Sequence, residues 1–299
     1  MTTWRLRLRP TAPFATPWHA DSLFGALAWR CAEAYGEEKL LDWIKAFREG
    51  QPPFLLSDAL PGNWLPAPIG PAYESPAGGK TKVPVWVDAV DFGRMLRDPE
   101  YRSPASAAGG NRTEPADRLH ASLGRGTDRS DAGGALFEIK KEVLSKDTGG
   151  YFSLYLRAAS PDTVEALVGL LALTGFGRKS STGLGAFEVD GKAERCEGLD
   201  GCEGANGFVS LSHFVPAASD STSGAWRLLV SYPKYHGSAV GHPFKGRLVQ
   251  LTPGSWFHTG PEPRAWYGRA VDTGCQEFPR AMQYGLAFAV PAVVRQAGR

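Results

Sequence analysis

Cysteine is scarce in this sequence, with four among 299 residues. Four cannot staple a chain of this length, so a reducing cytoplasm is the expected compartment. Long apolar runs are missing too, and none approaches the ~20 residues that cross a bilayer. The opening Met1-Thr-Thr-Trp-Arg-Leu-Arg-Leu-Arg9 has no apolar core of the kind a secretory signal needs. Net charge is close to zero at +2, so bulk electrostatics nominate no nucleic-acid partner. Chemistry-bearing motifs are also thin. The glycine-rich segment 175–185 has neither the Gly-Lys-Ser spacing of a nucleotide P-loop nor a dinucleotide fingerprint, and no Gly-x-Ser-x-Gly elbow appears in the chain. Cys196 and Cys202, with His213 beyond them, lack the tight spacing and the second pair of a zinc site. No cofactor, metal or small-molecule substrate is expected.

Glycine and proline are abundant, at 36 and 23 residues, about one in five together, with no fixed period. That composition means many turns and long loops on a folded scaffold, since 42% of the chain is hydrophobic. Charge is unevenly placed. Residues 1–20 carry Arg5, Arg7 and Arg9 with no acid before Asp21, and Ser221 to Pro261 contains no acid at all. That second window holds Arg227, Lys234, Lys245 and Arg247, with His236, His242 and His258. A basic face can therefore exist on a nearly neutral protein, although solvated charge scatter would give the same counts.

Residues 4–9 alternate, Trp4, Leu6 and Leu8 against Arg5, Arg7 and Arg9, which predicts a strand with one packed face and one basic face. Asp21 or Ser22 can cap a helix whose apolar side is Leu23, Leu27, Cys31 and Ala34 and which Gly36 stops. A second helix is expected from about Glu37 to Arg48. Residues 51–110 read as irregular apart from a strand-like Val83–Val90; loops this long are usually functional. Ala135–Val143 and Tyr151–Arg157 look extended. Ser160-Pro161-Asp162 starts a helix, and a short strand follows at Ala186–Val189. Beyond a polar stretch, strands are expected at Phe208–Leu211, Trp226–Tyr232, Gly246–Leu251 and Tyr284–Val290. The order strand, helix, insertions, strand, helix, strand suits a split β-α-β unit. The expected fold class is α+β, two tandem ferredoxin-like domains with long insertions. The domains are 1–190, with insertions at about 51–145, and 207–299, joined by a linker at 191–206.

The sharpest local feature is Gly175-Phe-Gly-Arg-Lys-Ser-Ser-Thr-Gly-Leu-Gly185. Gly175, Gly177, Gly183 and Gly185 permit close backbone approach, while Arg178, Lys179, Ser180 and Ser181 add cations and hydroxyls. Exposed amides there would form an anion-binding nest; the plain alternative is a surface turn. The six histidines include His19, His120 and His213, any of which could act as a general acid or base, but no pattern pairs one with a second catalytic group. Tryptophans such as Trp64, Trp86, Trp256 and Trp266 are stacking platforms or core residues.

Gly175–Phe187 resembles the glycine-rich loop of the RAMP superfamily of CRISPR proteins. Five further stretches extend the likeness to the subunit-four family of type III-A (Csm) effector complexes. They are His19-Ala-Asp-Ser-Leu-Phe-Gly-Ala-Leu27, Pro53–Pro61 with Leu65–Pro68, and His120–Thr127 leading to Gly134–Phe137. Near the end come Gly254–Phe257 and Gln283–Phe288. Gly124 departs from the pattern, which often has an acid before Arg125. The resemblance implies a pair of RNA-recognition-like ferredoxin folds that hold the 5′ handle of the guide (crRNA). It also implies docking to the large polymerase/cyclase-domain subunit on one side and to a backbone RAMP subunit on the other, with no catalysis. Gly175–Gly185 would then be the phosphate cradle, His19, Ser22, His120 and Arg125 further RNA contacts, and the Arg5/Arg7/Arg9 face an RNA or subunit contact. The other reading is a RAMP endoribonuclease that processes precursor crRNA with a histidine such as His19.

Overall fold

The structure, a computed structural model, describes residues 1–70, 73–74, 80–81, 85–103, 112–121, 136–235, 245–274 and 280–295. Its first sheet is built from β1 (Thr2–Pro10), β2 (Phe54–Pro61), β3 (Phe152–Ala158) and β4 (Phe187–Arg195). The order is β4-β1-β3-β2 with every pair antiparallel. Helices α1 (Ala20–Tyr35) and α4 (Asp162–Ala172) make the two crossovers of a split β-α-β arrangement. Between them in sequence lie α2 (Glu37–Arg48) and α3 (Ala89–Arg97).

Elements with a visible period form where expected. Leu6 and Leu8 are fully buried, α1 ends at Gly36 with a positive φ, and α4 buries Val164, Leu167, Val168 and Leu171. Three expectations need correcting. First, the stretch 51–145 is not all insertion: β2 is an integral strand, and all eight of its residues are buried. A strand covered on both faces shows no alternation, which is why it read as irregular. Second, among the described residues of the expected Val83–Val90 strand, Trp86–Asp88 is extended; α3 follows, capped by the Asp88 carboxylate accepting from Asp91 N at 2.8 Å. Third, β4 continues to Arg195, five residues into the expected linker, because it stays paired with β1 across a bulge between Arg5 and Arg7.

The second half is a five-stranded antiparallel sheet made of β5 (Gly207–Ser210), β6 (Gly224–Ala225), β9 (Trp256–His258), β10 (Trp266–Gly268) and β11 (Leu286–Ala292). Its order is β6-β9-β5-β11-β10, with a separate hairpin of β7 (Leu228–Ser231) and β8 (Leu248–Leu251). Taking β6, β9, β5 and β11 as strands two, three, one and four repeats the order of the first sheet. The crossover helices are not repeated: no α-helix lies beyond Ala172 among the described residues. The hairpin leaves Leu228, Val230, Tyr232 and the paired Val249 exposed.

The two halves share one apolar core. Strand β11 alternates, with Leu286, Phe288, Val290 and Ala292 in the core common to both halves, and Ala287 and Ala289 in a smaller one with Phe208, Phe214 and Phe257. Tyr284 stacks on Phe24 of α1 at 5.2 Å, and its hydroxyl accepts from Leu56 N at 3.0 Å. No helix among the described residues is long and apolar enough to cross a membrane.

Candidate nucleic-acid interface

The loop 175–185 leaves α4 and enters β4, anchored by Phe176, which is buried against Trp18 at 5.1 Å. Two glycines are required there. Gly177 (φ +88°) would place a Cβ 2.5 Å from Thr16 Cβ, and Gly185 (φ +67°) one 2.0 Å from the Phe176 carbonyl oxygen. Gly183 shares the left-handed backbone but faces open space. Gly185→Ala should therefore lower stability by about 1–3 kcal/mol from strain alone, and more from the clash. Gly183→Ala should cost only about 1–2 kcal/mol. Urea midpoints of the two variants check the difference.

Seven of the loop's eleven amides donate within the protein. Phe176 N donates to Gly185 O, Arg178 N to Thr16 Oγ1 at 2.8 Å, Ser180 N to Gly177 O, Thr182 N and Leu184 N to Lys179 O, Gly183 N to Ser180 O, and Gly185 N to Pro13 O. Those seven donors are turned inward, and the loop also presents side chains outward. Arg178, Lys179 and Ser181 are exposed, and Lys179 holds a left-handed φ of 64°, rare for a residue with a Cβ.

Pro13 and Thr16, which receive the loop, belong to the segment that runs on through Pro17 and Trp18 to His19. That segment forms one wall of a cleft of about 400 Å³. The other walls come from the end of β2, residues 66–69 and the second half at His213, Arg227 and Thr252. The structure thus joins the glycine-rich loop and His19 through one short stretch of chain.

In the cleft wall, the His19 ring packs against that of His213, centroids 3.9 Å apart and planes tilted by 32°. Asp58 of β2, buried, accepts from Ala20 N at 2.9 Å, from His213 N at 3.1 Å and through Oδ2 from His213 Nδ1 at 2.6 Å. Asp58 rather than Asp21 or Ser22 thus satisfies the first amide of α1 and ties it to the second half. Burial alone would raise the Asp58 pKa, but the His213 ring, helped by His19 and the Ala20 amide, holds it below the usual carboxylate range. Burial would lower His213, yet Asp58 outweighs it and holds His213 above the ordinary histidine value. His19 is pushed down, by burial first and by His213. The site therefore favours the charged forms of Asp58 and His213 and the neutral form of His19. A sequence offers no signal for this trio, because three lone residues far apart in the chain carry no spacing.

The remaining expected contacts fall elsewhere. Ser22 lies in the first turn of α1, half-buried, its N and Oγ both donating to Asp21 Oδ1. Asp21 itself accepts from Gln283 Nε2 at 2.9 Å in the interior. His120 lies in the strand Arg118–Ala121, opposite Phe137, and Arg125 lies outside the described residues. The basic face of β1 is matched within the chain. Arg5 and Arg7 both reach Glu194, at 2.6 and 3.0 Å, and Arg9 reaches Asp190 at 2.8 Å. Acids of β4 thus neutralise the arginines next to them. At the cleft, Arg112 sits over the Trp64 ring at 3.5 Å and pairs with Asp147, which leaves Arg227 as the more exposed cation.

No family model matches the chain, and no curated protein matches it by sequence. Solved structures do. A chain from the crystal structure of a Csm1–Csm4 cassette in complex with AMPPNP superposes with a TM-score of 0.63 at 17% identity, covering 98% of this chain and 99% of that one. A chain from the Csm3–Csm4 subcomplex of the type III-A CRISPR–Cas interference complex gives 0.62 at 17%, covering 97% and 99%. The subunit common to both assemblies is Csm4, and the match runs end to end. The fold is Csm4-like. The cassette in complex with cA4 gives the same result, at 0.60 and 18%. The Csm4-like comparison covers both halves of the chain.

Proposed function

We propose that this chain is the subunit of a type III-A CRISPR effector complex that holds the 5′ handle of the crRNA. In this reading it docks the large polymerase/cyclase-domain subunit, Csm1, and the backbone RAMP subunit, Csm3. The observation that carries the proposal is the end-to-end likeness to chains solved within Csm1–Csm4 and Csm3–Csm4 assemblies. The surface supports it. Arg178, Lys179 and Ser181 stand exposed on a loop whose backbone is fixed from within, as a single-stranded backbone requires of its phosphate contacts. The adjoining cleft offers Trp86 and Arg227 to a splayed nucleotide. The exposed apolar side of the β7–β8 hairpin fits a surface partly given to protein neighbours.

Fluorescence polarisation with a handle-sequence RNA tests the RNA claim. Each single-strand phosphate contact contributes about 0.7 to the slope of log K against log salt, so Arg178→Ala/Lys179→Ala should weaken binding and lower that slope by about 1.4. Unchanged affinity and slope would sink it.

A second reading, a metal-independent endoribonuclease acting through His19, is favoured by His19, its pKa lowered by burial, beside the Asp58–His213 couple. The ring packing works against it. Rings 3.9 Å apart lie together, whereas in-line displacement needs an acid and a base on opposite sides of phosphorus. Cleavage of repeat RNA in chelator, lost in His19→Ala, would favour the enzyme instead.

A further inference from the structure

The trio in the cleft wall has the makings of a metal site. Donor atoms of His19, Asp58 and His213 all lie within 4.8 Å of one another. A carboxylate only accepts, so the 2.6 Å contact keeps a proton on His213 Nδ1, and a metal ion would take the place of the other ring proton at Nε2. Asp58 is in turn fixed by two backbone amides, Ala20 N and His213 N, both on Oδ1. That is the carboxylate–histidine arrangement which orients a metal-binding imidazole and raises its basicity. The His19 ring makes no hydrogen bond among the described residues although it is largely buried. It packs against His213 in the wall of an open cleft, which supplies an entry path and room for exchangeable ligands.

We propose that His19 and His213 bind a divalent transition-metal ion of the zinc class in this cleft. Asp58 serves as the outer carboxylate behind His213, and the remaining coordination positions open to water or to an oxygen of a bound ligand. Imidazole donors select zinc and its first-row neighbours over magnesium or calcium, which prefer all-oxygen shells. The ion would bridge the start of α1 and the segment after β5, and so link the two halves on the cleft side. Nothing in this depends on the RNA-binding reading.

The test uses the full chain stripped with chelator, titrated with Zn²⁺ against a chromophoric competitor and with Co²⁺ read by visible absorption. One equivalent of Zn²⁺ is expected, with two nitrogen ligands at about 2.0–2.1 Å by X-ray absorption. The double variant His19→Gln/His213→Gln should lose that equivalent. His19→Gln alone, which removes no hydrogen bond, should weaken binding in a metal-free protein that still unfolds cooperatively. Asp58→Asn, which keeps an acceptor for both amides, should weaken it about 10–100-fold. Zinc retained equally by wild type and the double variant, or by neither, would overturn the proposal, the first outcome meaning adventitious binding at other histidines.

Discussion

Replacing Asp58 with alanine should cost about 3–5 kcal/mol of stability, the penalty for breaking a buried ion pair on one side. The carboxylate answers three donors at once, and two of them, Ala20 N and His213 N, come from different halves of the chain. Removing it bares the first amide of α1, leaves the His213 imidazolium without its counter-charge and unties the second half from β2. The pH dependence follows from the two shifts. Asp58 is depressed in the folded protein, so its contribution is present above its unfolded value, about 3.9, and is lost as pH falls through the lower folded value. His213 is raised, so its contribution is complete below about 6.5 and is lost as pH rises through the higher folded value. The couple therefore stabilises most between about pH 4 and 6.5. His19, shifted down, acts oppositely: its burial costs stability as pH falls from about 6.5 towards its lower folded value. Urea midpoints across this range should show the wild type losing the Asp58–His213 contribution above about pH 6.5, while Asp58→Ala lacks that loss. A variant with the wild-type midpoint and the wild-type pH profile would remove Asp58 from this role.

Arg157→Ala should cost a comparable amount, about 3 kcal/mol or more, because it uncovers several buried acceptors at about 1–3 kcal/mol each. Arg157 lies on β3, where Ser153, Tyr155 and Arg157 share the face opposite Leu154 and Leu156. Its guanidinium donates to the carbonyls of Ala265 and Ala289, both at 2.8 Å, and of Leu199 at 3.0 Å, and to Thr3 Oγ1 at 3.2 Å. It also lies 4.6 Å above the Phe288 ring and 4.0 Å from Asp200. Burial lowers its pKa from the usual arginine value, and four of the five N–H donors of the fork are paired. Lysine cannot reproduce that fork, so Arg157→Lys should recover less than half of the loss. Urea unfolding followed by tryptophan fluorescence checks both variants. Full recovery by lysine would reduce the role of Arg157 to charge alone.

Much of the first half was legible because its elements carry a period or a cap. Leu6 and Leu8 against Arg5 and Arg7 read as a half-buried strand, and Ser160-Pro161-Asp162 read as a helix start; both elements are there. Strand β2 was not legible as an element, since Phe54 to Pro61 are buried throughout and show neither period. Helix α3 hid in a proline- and glycine-rich stretch because it is only nine residues long. The arginine face of β1 was legible as a face but not as a neutralised one, because Glu194 and Asp190 arrive through strand pairing far along the chain. The glycine-rich loop was found from its composition. How Arg178 N and Gly185 N are satisfied was not, because their acceptors at Thr16 and Pro13 come from another segment. His19 was noted for its motif, while Asp58 went unremarked as one acid within an apolar run.

The central claim is that the exposed cations of this loop hold the guide's handle. A photo-crosslinking residue at position 179, in a complex assembled with the large and backbone subunits, tests it most directly. Crosslinks to nucleotides of the 5′ handle, lost when the handle is replaced by an unrelated sequence of other length, are the expected result. Crosslinks confined to the spacer portion of the guide, or to protein neighbours with no RNA product, would contradict it.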